Sequence, residues 1–381
     1  MFSHRSSIDS ALRSFKIDGH MLCYNSFVPR LYNWCLSMGF SPGRIMPSRA
    51  FCSDESQGFP IILIAKHFGA FPFNHGRVGG IVSVDRHGPH ADHGKDLVLL
   101  QASHVGYDPV SGEFGVYRRL FTDQAHSSCS CGKIGRILAW YKTEYAYARE
   151  NIRLLRHEGR LAVLIDYQLI ASPRAQGLFL LFENLVRDVE GGLPRPLSTR
   201  STGHIFLAAE ALIERLGEAE WPQSGSVPIG DNLAADDFYF QHKGGYLDPL
   251  QDQLESNLIA PMPWILTSKH PLLTAACANT LAEFDRTYRS IVQDASMRDR
   301  NLLFLAGLNI DISPQPGEDF PLTKFVPWAA YLQRADGGRE ILEQDELLER
   351  LSAESSSNPA QINLEQSIEA MSNKREVAVR I

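Results

Sequence analysis

Apolar stretches that suit buried strands alternate along the chain with apolar residues at helical spacing, and this alternation predicts an α/β fold. The clearest strand pattern is the run Leu97-Val98-Leu99-Leu100, which is nearly continuous, as in strands covered on both faces of a parallel sheet. The predicted strands lie at 45–52, 96–104, 161–169 and 301–311. We therefore expect a mostly parallel central sheet that is flanked by helices on both faces.

Helical periodicity predicts the elements between and after these strands. The two longest predicted helices span 131–158 and 271–292. Shorter helices are predicted at 26–38, 58–68, 175–189, 205–216 and 340–351, and a last strand at 325–332.

The chain is predicted to have three parts. Residues 1–20 form an N-terminal arm, 21–335 form one catalytic domain, and 336–381 form a charged C-terminal helix and tail. The boundary near 335 rests on a change in composition, because the residues after it are rich in charged and small polar side chains.

Composition and charge narrow the class of protein. With 381 residues, 44% of them hydrophobic and 21% charged, the chain has the composition of a globular protein with a sizeable core. A formal net charge of -7 argues against a general partner of nucleic acid or of anionic membrane surfaces. No apolar run approaches the roughly 18 residues of a membrane span.

The cysteines indicate the compartment. Because the six cysteines have no disulfide-framework spacing, they are typical of a reducing environment, and the predicted location is cytoplasmic. The Ser- and Arg-rich stretch 1–16 leaves an organellar presequence as an alternative, although it contains the acidic residue Asp9.

Cysteine and histidine are concentrated between positions 46 and 133. Cys52 follows a predicted strand, His104 ends another, and Cys131 precedes Gly132 at the start of a helix. In open α/β sheets the carboxyl ends of the strands form the ligand-binding edge. Two thiolates and one imidazole would bind zinc and leave the fourth position open, which is the layout of a catalytic zinc site.

Several neighbouring residues compete for roles in this site. Cys131 is favoured over Cys129, because a helix start stabilises a thiolate. His87 lies in a polar loop and is a further candidate, either as a ligand or as part of the pocket lining. Asp54 comes two positions after Cys52 and could hydrogen bond to a group at the metal.

A series of short motifs then points to a known family. In order along the chain they are Cys52-Ser53-Asp54-Glu55, Gly76-Arg77-Val78-Gly79, His87-Gly88-Pro89-His90, Ala102-Ser103-His104-Val105-Gly106, Ser127-Ser128-Cys129-Ser130-Cys131-Gly132 and Leu308-Asn309-Ile310-Asp311. Together they resemble the limiting-CO2-inducible B/C family, whose members are similar to β-type carbonic anhydrases. The resemblance covers about residues 20 to 335.

The resemblance implies a homodimer that carries zinc on Cys52, His104 and Cys131 and catalyses the reversible hydration of CO2 to bicarbonate, a lyase reaction. It also implies an Asp paired with an Arg beside the metal. The β-type pattern Cys-x-Asp-x-Arg places that Arg at position 56, where this chain has Ser56, and Arg77 is the predicted substitute.

The β-type spacing His-x-x-Cys is met by His126 and Cys129, which keeps that pair as alternative ligands. Zinc lowers the pKa of bound water, but two thiolates reduce its charge and should make that shift smaller. Asp54 would therefore orient the attacking water, Arg77 would keep Asp54 ionised, and His87 would carry the released proton away.

Two other functions compete with an anhydrase. Another zinc hydrolase or a deaminase could use the same ligand types, but the Glu beside the His and the paired Pro-Cys-x-x-Cys of deaminases are missing here. A non-catalytic member could bind zinc, CO2 or bicarbonate and act through partners, with the tail after Ala335 as a contact.

Overall fold

The structure is a computed structural model that describes residues 2–83, 96–118, 128–129, 131–170, 176–187, 189–190, 193–242, 249–314, 318 and 322–372. The chain divides into two compact units. We call Arg13–Cys131 with Asn279–Ile381 the site unit, and Met1–Leu12 with Gly132–Ala278 the second unit. The predicted boundaries at 20 and 335 stay predictions.

The helices, in chain order, are α1 Phe2–Ser14, α2 Tyr24–Ser37, α3 Gly58–Phe68, α4 Gly132–Asn151, α5 Tyr167–Ile170, α6 Phe182–Leu185, α7 Glu210–Leu216, α8 Pro249–Ile259, α9 Met262–Thr267, α10 Pro271–Gln293, α11 Gln344–Ala353 and α12 Leu364–Ser372. Within the described chain, α10 and α4 are the longest, as predicted, with 23 and 20 residues. None of the helices described is long and apolar enough to span a membrane.

The strands are β1 Leu22–Cys23, β2 Ile45–Ala50, β3 Phe73–Asn74, β4 Asp96–Asp108, β5 Glu113–Phe114, β6 Val116–Tyr117, β7 Ser128–Cys129, β8 Ile152–His157, β9 Arg160–Asp166, β10 Gly177–Leu180, β11 Val189–Glu190, β12 Leu193–Pro194, β13 Ser198–Arg200, β14 Gly203–Leu207, β15 Ser226–Pro228, β16 Phe238–Gln241, β17 Leu302–Ile312, β18 Leu322–Gln333 and β19 Arg339–Leu342.

The site unit is built on one mixed sheet with the strand order β1-β18-β17-β4-β2-β3. The pairs β17–β4, β4–β2 and β2–β3 are parallel, whereas β1, β18, β19 and β5 add antiparallel pairs around them. Helices flank this parallel centre, so the predicted α/β class is confirmed.

Both faces of the central strands are covered. Even-numbered positions of β4 pack with α2, α3 and α11 in a cluster that includes Val98, Leu31 and Ile64, and we call this side the α2 face. Odd-numbered positions pack with α10 in a cluster that includes Leu99 and Phe284, and we call this side the α10 face. Because side chains alternate along a strand, burial on both sides explains the continuous apolar run of β4.

The second unit corrects part of the predicted topology. The strand predicted at 161–169 is β9, and it lies in an antiparallel five-stranded sheet, β13-β14-β9-β8-β15, rather than in the central sheet. The helix predicted at 131–158 ends at Asn151, and β8 begins at Ile152. Glu158 and Gly159 have φ of 52° and 77°, the turn geometry that joins tight antiparallel hairpins, and this turn pairs β8 with β9.

Three further helix predictions were partly wrong, because short apolar runs fit helix and strand patterns equally well. The range 175–189 contains β10, α6 and part of β11, 205–216 contains most of β14 and then α7, and 340–351 contains most of β19 and then α11. The helices predicted at 26–38 and 58–68 and the strand at 325–332 are confirmed as α2, α3 and β18.

A buried serine–histidine contact lies at the β2–β3 edge of the central sheet. Ser48 Oγ is 2.5 Å from Nδ1 of His75, and both side chains are buried. Burial lowers the pKa of the His75 imidazole to about 3. A hydrogen bond with the Phe73 backbone raises this pKa, but burial has the larger effect. His75 is therefore neutral in the folded protein at neutral pH.

We expect acid to destabilise the protein through His75. An unfolded chain protonates histidine near pH 6.5, whereas the folded-state pKa of His75 is about 3. Between these values the unfolded state binds more protons, so the free energy of unfolding should fall as pH decreases, by at most about 1.4 kcal/mol per pH unit for one residue. Denaturant unfolding at about pH 7 and about pH 4.5 should show a weaker pH dependence for His75→Asn. Identical pH dependences in parent and variant would contradict this expectation.

Candidate metal centre

Three segments carry the candidate ligands to one end of the parallel strands. Cys52 follows the end of β2 at Ala50, which pairs with Gln101 of β4. His104 was predicted to end its strand, but β4 continues to Asp108. Because β2 ends at Ala50, opposite Gln101, His104 lies beyond the last residue of β2. Cys52, two residues after the end of β2, can therefore lie beside the imidazole. Cys131 directly precedes α4, as the sequence predicted.

The ligand atoms of Cys52, His104 and Cys131 all lie within 4.8 Å of one another. The three residues are buried, with exposed fractions of 5%, 1% and 3%. Tetrahedral zinc with bonds of about 2.0–2.3 Å places its ligand atoms about 3.3–3.8 Å apart, so this group can close on a divalent cation with small movements. Within the described part of the chain, no other group of three or more His, Cys, Asp or Glu side chains converges in this way.

The backbone at Cys131 is held in an uncommon conformation. Its φ is 52°, in the left-handed region that residues other than glycine seldom adopt, at a cost of about 1–2 kcal/mol. Such conformations persist where the surrounding structure imposes them, and they are concentrated at functional sites. Here the conformation accompanies a thiol that is turned into the buried group.

The protons of the group show what a cation would replace. A hydrogen bond from the Cys131 thiol lowers the pKa of Cys52 to about 3 despite burial, and the same contact raises the pKa of Cys131 well above its usual value. Burial disfavours the charged form of His104, but the sulfur of Cys131 and the carboxylate of Asp311 outweigh it and raise its pKa. Metal binding requires deprotonated thiols and a neutral imidazole, so a dication would displace the protons that these three groups share, which fits this donor set.

The backbone also supports Cys52. Its Sγ accepts a hydrogen bond of 3.2 Å from the amide of Gly79.

His104 is oriented by the carboxylate of Asp311, a residue of the last sequence motif for which no role was predicted. Asp311 Oδ2 lies 2.8 Å from Nδ1 of His104, and both side chains are fully buried. The imidazole therefore uses Nδ1 for Asp311 and presents Nε2 to the thiols. A carboxylate on the far nitrogen is the usual partner of a metal-binding histidine, because it sets the tautomer and the ring orientation.

Asp311 is itself surrounded by donors. Ser56 Oγ donates at 2.8 Å, Gln57 Nε2 at 3.0 Å and Thr323 Oγ1 at 3.2 Å. Multiple hydrogen bonds of this kind stabilise a buried carboxylate in one orientation.

The network continues along the α2 face. Asn309 Nδ2 donates to Gln57 Oε1 at 2.6 Å, and Tyr24 in α2 donates its hydroxyl to Asn309 Oδ1 at 2.7 Å. Burial raises the pKa of Tyr24 well above its usual value, so its hydroxyl keeps the proton that it donates. A usable signal in the sequence was the alternation of Asn309 and Asp311 in an otherwise apolar strand, which places both on one face.

The other predicted site residues have different outcomes. Asp54 precedes the 3₁₀ turn Glu55–Gln57 but makes no side-chain capping bond there, and its buried Oδ1 has no hydrogen-bond partner among the residues that the structure describes. Among the described residues, Arg77 forms no ion pair with Asp54. His87, His126 and the side chain of Cys129 lie outside the described residues.

No protein-family model matches the chain, and no curated protein matches it either. Solved structures do resemble it. The crystal structure of PtLCIB4, a homolog of the limiting CO2-inducible protein LCIB, is 12% identical, covers 88% of this chain and 98% of its own, and has a TM-score of 0.49. The crystal structure of LCIB itself is 12% identical, covers 85% of this chain and 95% of its own, and has a TM-score of 0.44. Both carry the name of the family that the sequence motifs resemble.

Proposed function

We propose that this protein binds one zinc ion through Cys52, His104 and Cys131 and catalyses the reversible hydration of CO2 to bicarbonate. The observation that supports this best is the buried convergence of the three ligand atoms within 4.8 Å, with Asp311 bonded to the far nitrogen of His104. Three protein ligands are the number found in catalytic zinc sites, where the fourth position receives water or substrate.

When bound, zinc supplies Lewis acidity at that fourth position. The protein's own part is to hold the ligands and to exclude bulk water from them. Cys52 and Cys131 would provide negative charge, and His104 would bind as a neutral imidazole through Nε2, with its Nδ1 proton donated in a hydrogen bond to Asp311. Two thiolates reduce the charge at the metal, so an additional group is needed to orient the attacking water.

Asp54 is the residue that we propose for this orienting role. Its buried Oδ1 has no partner within the described chain, and the absence of a capping bond removes the simplest structural explanation for an acid at this position. A carboxylate that accepts a hydrogen bond from water directs the oxygen lone pair at the carbon of CO2. The proton released in each cycle would leave through a base such as His87, which stays a prediction, as does the pairing of Arg77 with Asp54.

The proposal is tested by measuring CO2 hydration by stopped-flow on protein loaded with zinc and on the same preparation after chelation. The zinc-loaded protein should accelerate hydration above the buffer rate, and chelation should abolish that acceleration. Protein that carries zinc and hydrates CO2 no faster than buffer would contradict the proposal.

One observation favours a second function, the binding of CO2 or bicarbonate without turnover. Ser56 occupies the position where the β-type pattern has Arg, and its hydroxyl bonds to Asp311 instead of pairing with Asp54. This alternative requires zinc binding with no hydration activity, so the same assay separates the two functions. A homodimer and a cytoplasmic location also stay predictions.

The carboxylate on His104 gives a further prediction. Replacing Asp311 with Asn removes the charge that orients the imidazole, and loss of such a partner typically weakens metal binding by about 10- to 100-fold. Chelator competition should show this loss for Asp311→Asn. Thr323→Val is the matched control, because it deletes only one hydrogen bond to the same carboxylate. Equal zinc affinities for the two variants would contradict the role of Asp311.

A further inference from the structure

The glycine-rich stretch at 76–80, which we call the glycine turn, is pressed against both strands that lead to metal ligands. A Cβ on Gly76 would lie 2.4 Å from the carbonyl oxygen of Phe51, the residue before Cys52. A Cβ on Gly80 would lie 2.1 Å from the carbonyl oxygen of Ala102, two residues before His104. Only glycine permits these approaches, so the composition of the turn follows from its closeness to the ligand-bearing segments.

The turn also contacts a ligand directly. The amide of Gly79, a residue with a φ of 74°, donates to Cys52 Sγ at 3.2 Å. A hydrogen bond to a thiolate withdraws electron density from the sulfur and reduces the charge that the sulfur gives to a metal. The position of the Gly79 amide therefore affects how much charge Cys52 donates to a bound metal, and with it the Lewis acidity of that metal.

Asn279 holds the turn in place from the α10 face. This fully buried residue of α10 donates through Nδ2 to the carbonyl of Gly79 at 2.9 Å and to Ser103 Oγ at 2.8 Å. The same side chain thus bonds to the residue whose amide reaches Cys52 and to the residue that precedes His104.

A second contact from α10 fixes the chain just after the turn. Glu283, one helical turn beyond Asn279, accepts the amide hydrogen of Val82 at 2.7 Å, and Arg286 donates to the carbonyl of Val82 at 2.5 Å. Gln101 of β4 also donates to the carbonyl of Gly80 at 3.1 Å, whereas the carbonyl of Gly79 itself accepts from Asn279.

We infer that Asn279 is a positioning residue that fixes the Gly79 amide on Cys52 and the β4 backbone beside His104, and that it thereby sets the affinity and thiolate donation of the metal centre. The two faces of the sheet then have separate tasks. Asp311 orients His104 on the α2 face, and Asn279 acts on Cys52 from the α10 face. The inference rests on the proposed metal centre but not on CO2 hydration.

The test is Asn279→Ala in the full chain, with Co²⁺ alone as the probe. Loss of the amide hydrogen bond should raise the energy of the sulfur lone pairs and shift the thiolate-to-cobalt charge-transfer band to longer wavelength. Cobalt affinity, measured by chelator competition, should nevertheless fall, because Cys52 and the β4 backbone beside His104 are no longer held in place for the metal. We expect a fall of roughly 10-fold, the lower end for loss of a residue that supports a metal ligand.

Thr280→Val is the matched control. Thr280 is the next residue of α10, is equally buried, and bonds to the carbonyl of Gly307 at 3.0 Å rather than to the glycine turn. Thr280→Val should leave the position of the charge-transfer band unchanged. Its cobalt affinity should stay within about twofold of the parent value, a smaller change than is expected when a residue that supports a metal ligand is lost. If Asn279→Ala gives the same band and affinity as Thr280→Val, the inference is wrong.

Ser103→Ala decides the question if Asn279→Ala does not fold. This variant removes the hydroxyl that accepts a hydrogen bond from Asn279, and it changes no residue of α10. A smaller shift in the same direction supports the inference, and an unchanged spectrum overturns it. The inference and the proposed function can fail independently. If the parent protein binds cobalt with a normal thiolate band but does not hydrate CO2, only the proposed function is contradicted.

Discussion

Replacing Cys131 with Ser is expected to abolish zinc binding. Cys131 contributes one of the three ligand atoms that converge among the described residues, it is buried, and its backbone is held at a φ of 52°. A serine hydroxyl does not ionise to replace a thiolate, so zinc should fall from about one ion per chain to near zero. Metal analysis of the purified variant measures this directly.

Cys129→Ser is the control for this experiment, since it removes a thiol two residues away in the same motif and should keep its zinc. The opposite result, with zinc lost from Cys129→Ser and kept in Cys131→Ser, would move the ligand to Cys129. That result would also favour His126 and Cys129 as ligands, the alternative pair suggested by the β-type spacing.

Replacing Asp54 with Asn is expected to lower CO2 hydration by about 100-fold or more, the typical effect of losing a positioned acid or base. Asn keeps the shape of Asp54 but loses the charge that would orient the attacking water. Zinc content should stay unchanged, because Asp54 is not among the converging ligands. Zinc stoichiometry and hydration rate should be measured on the same preparation across pH.

The neighbouring variant Glu55→Gln controls for a general effect of charge, because Glu55 is exposed and adjacent in sequence. It should hydrate CO2 at nearly the parent rate. An Asp54→Asn protein as fast as the parent would exclude the orienting role, and a parent that is inactive with zinc bound would favour binding without turnover.

The elements that the sequence predicted correctly are those with a strong local pattern. The continuous apolar runs of β4 and β17 identify strands covered on both faces, and the spacing in α10 identifies a long helix. The errors fall where local patterns are ambiguous. The run 161–169 has the same apolar character as a central strand, but the turn at Glu158 and Gly159 pairs it with β8 in a different sheet.

The types of candidate ligand, the position of Cys52 after a strand and that of Cys131 before a helix could be predicted from the sequence, because thiols and imidazoles concentrated at such ends point to a metal. The residues that support these candidate ligands could be identified only from the folded chain. Parallel pairing sets His104 opposite Asn309, so Asp311, 207 positions from His104 in sequence, comes to lie two residues further on the same face. Asn279 reaches Gly79 across 200 positions in the same way. Strand register and helix packing place such partners, and they depend on the whole core rather than on any local stretch of sequence.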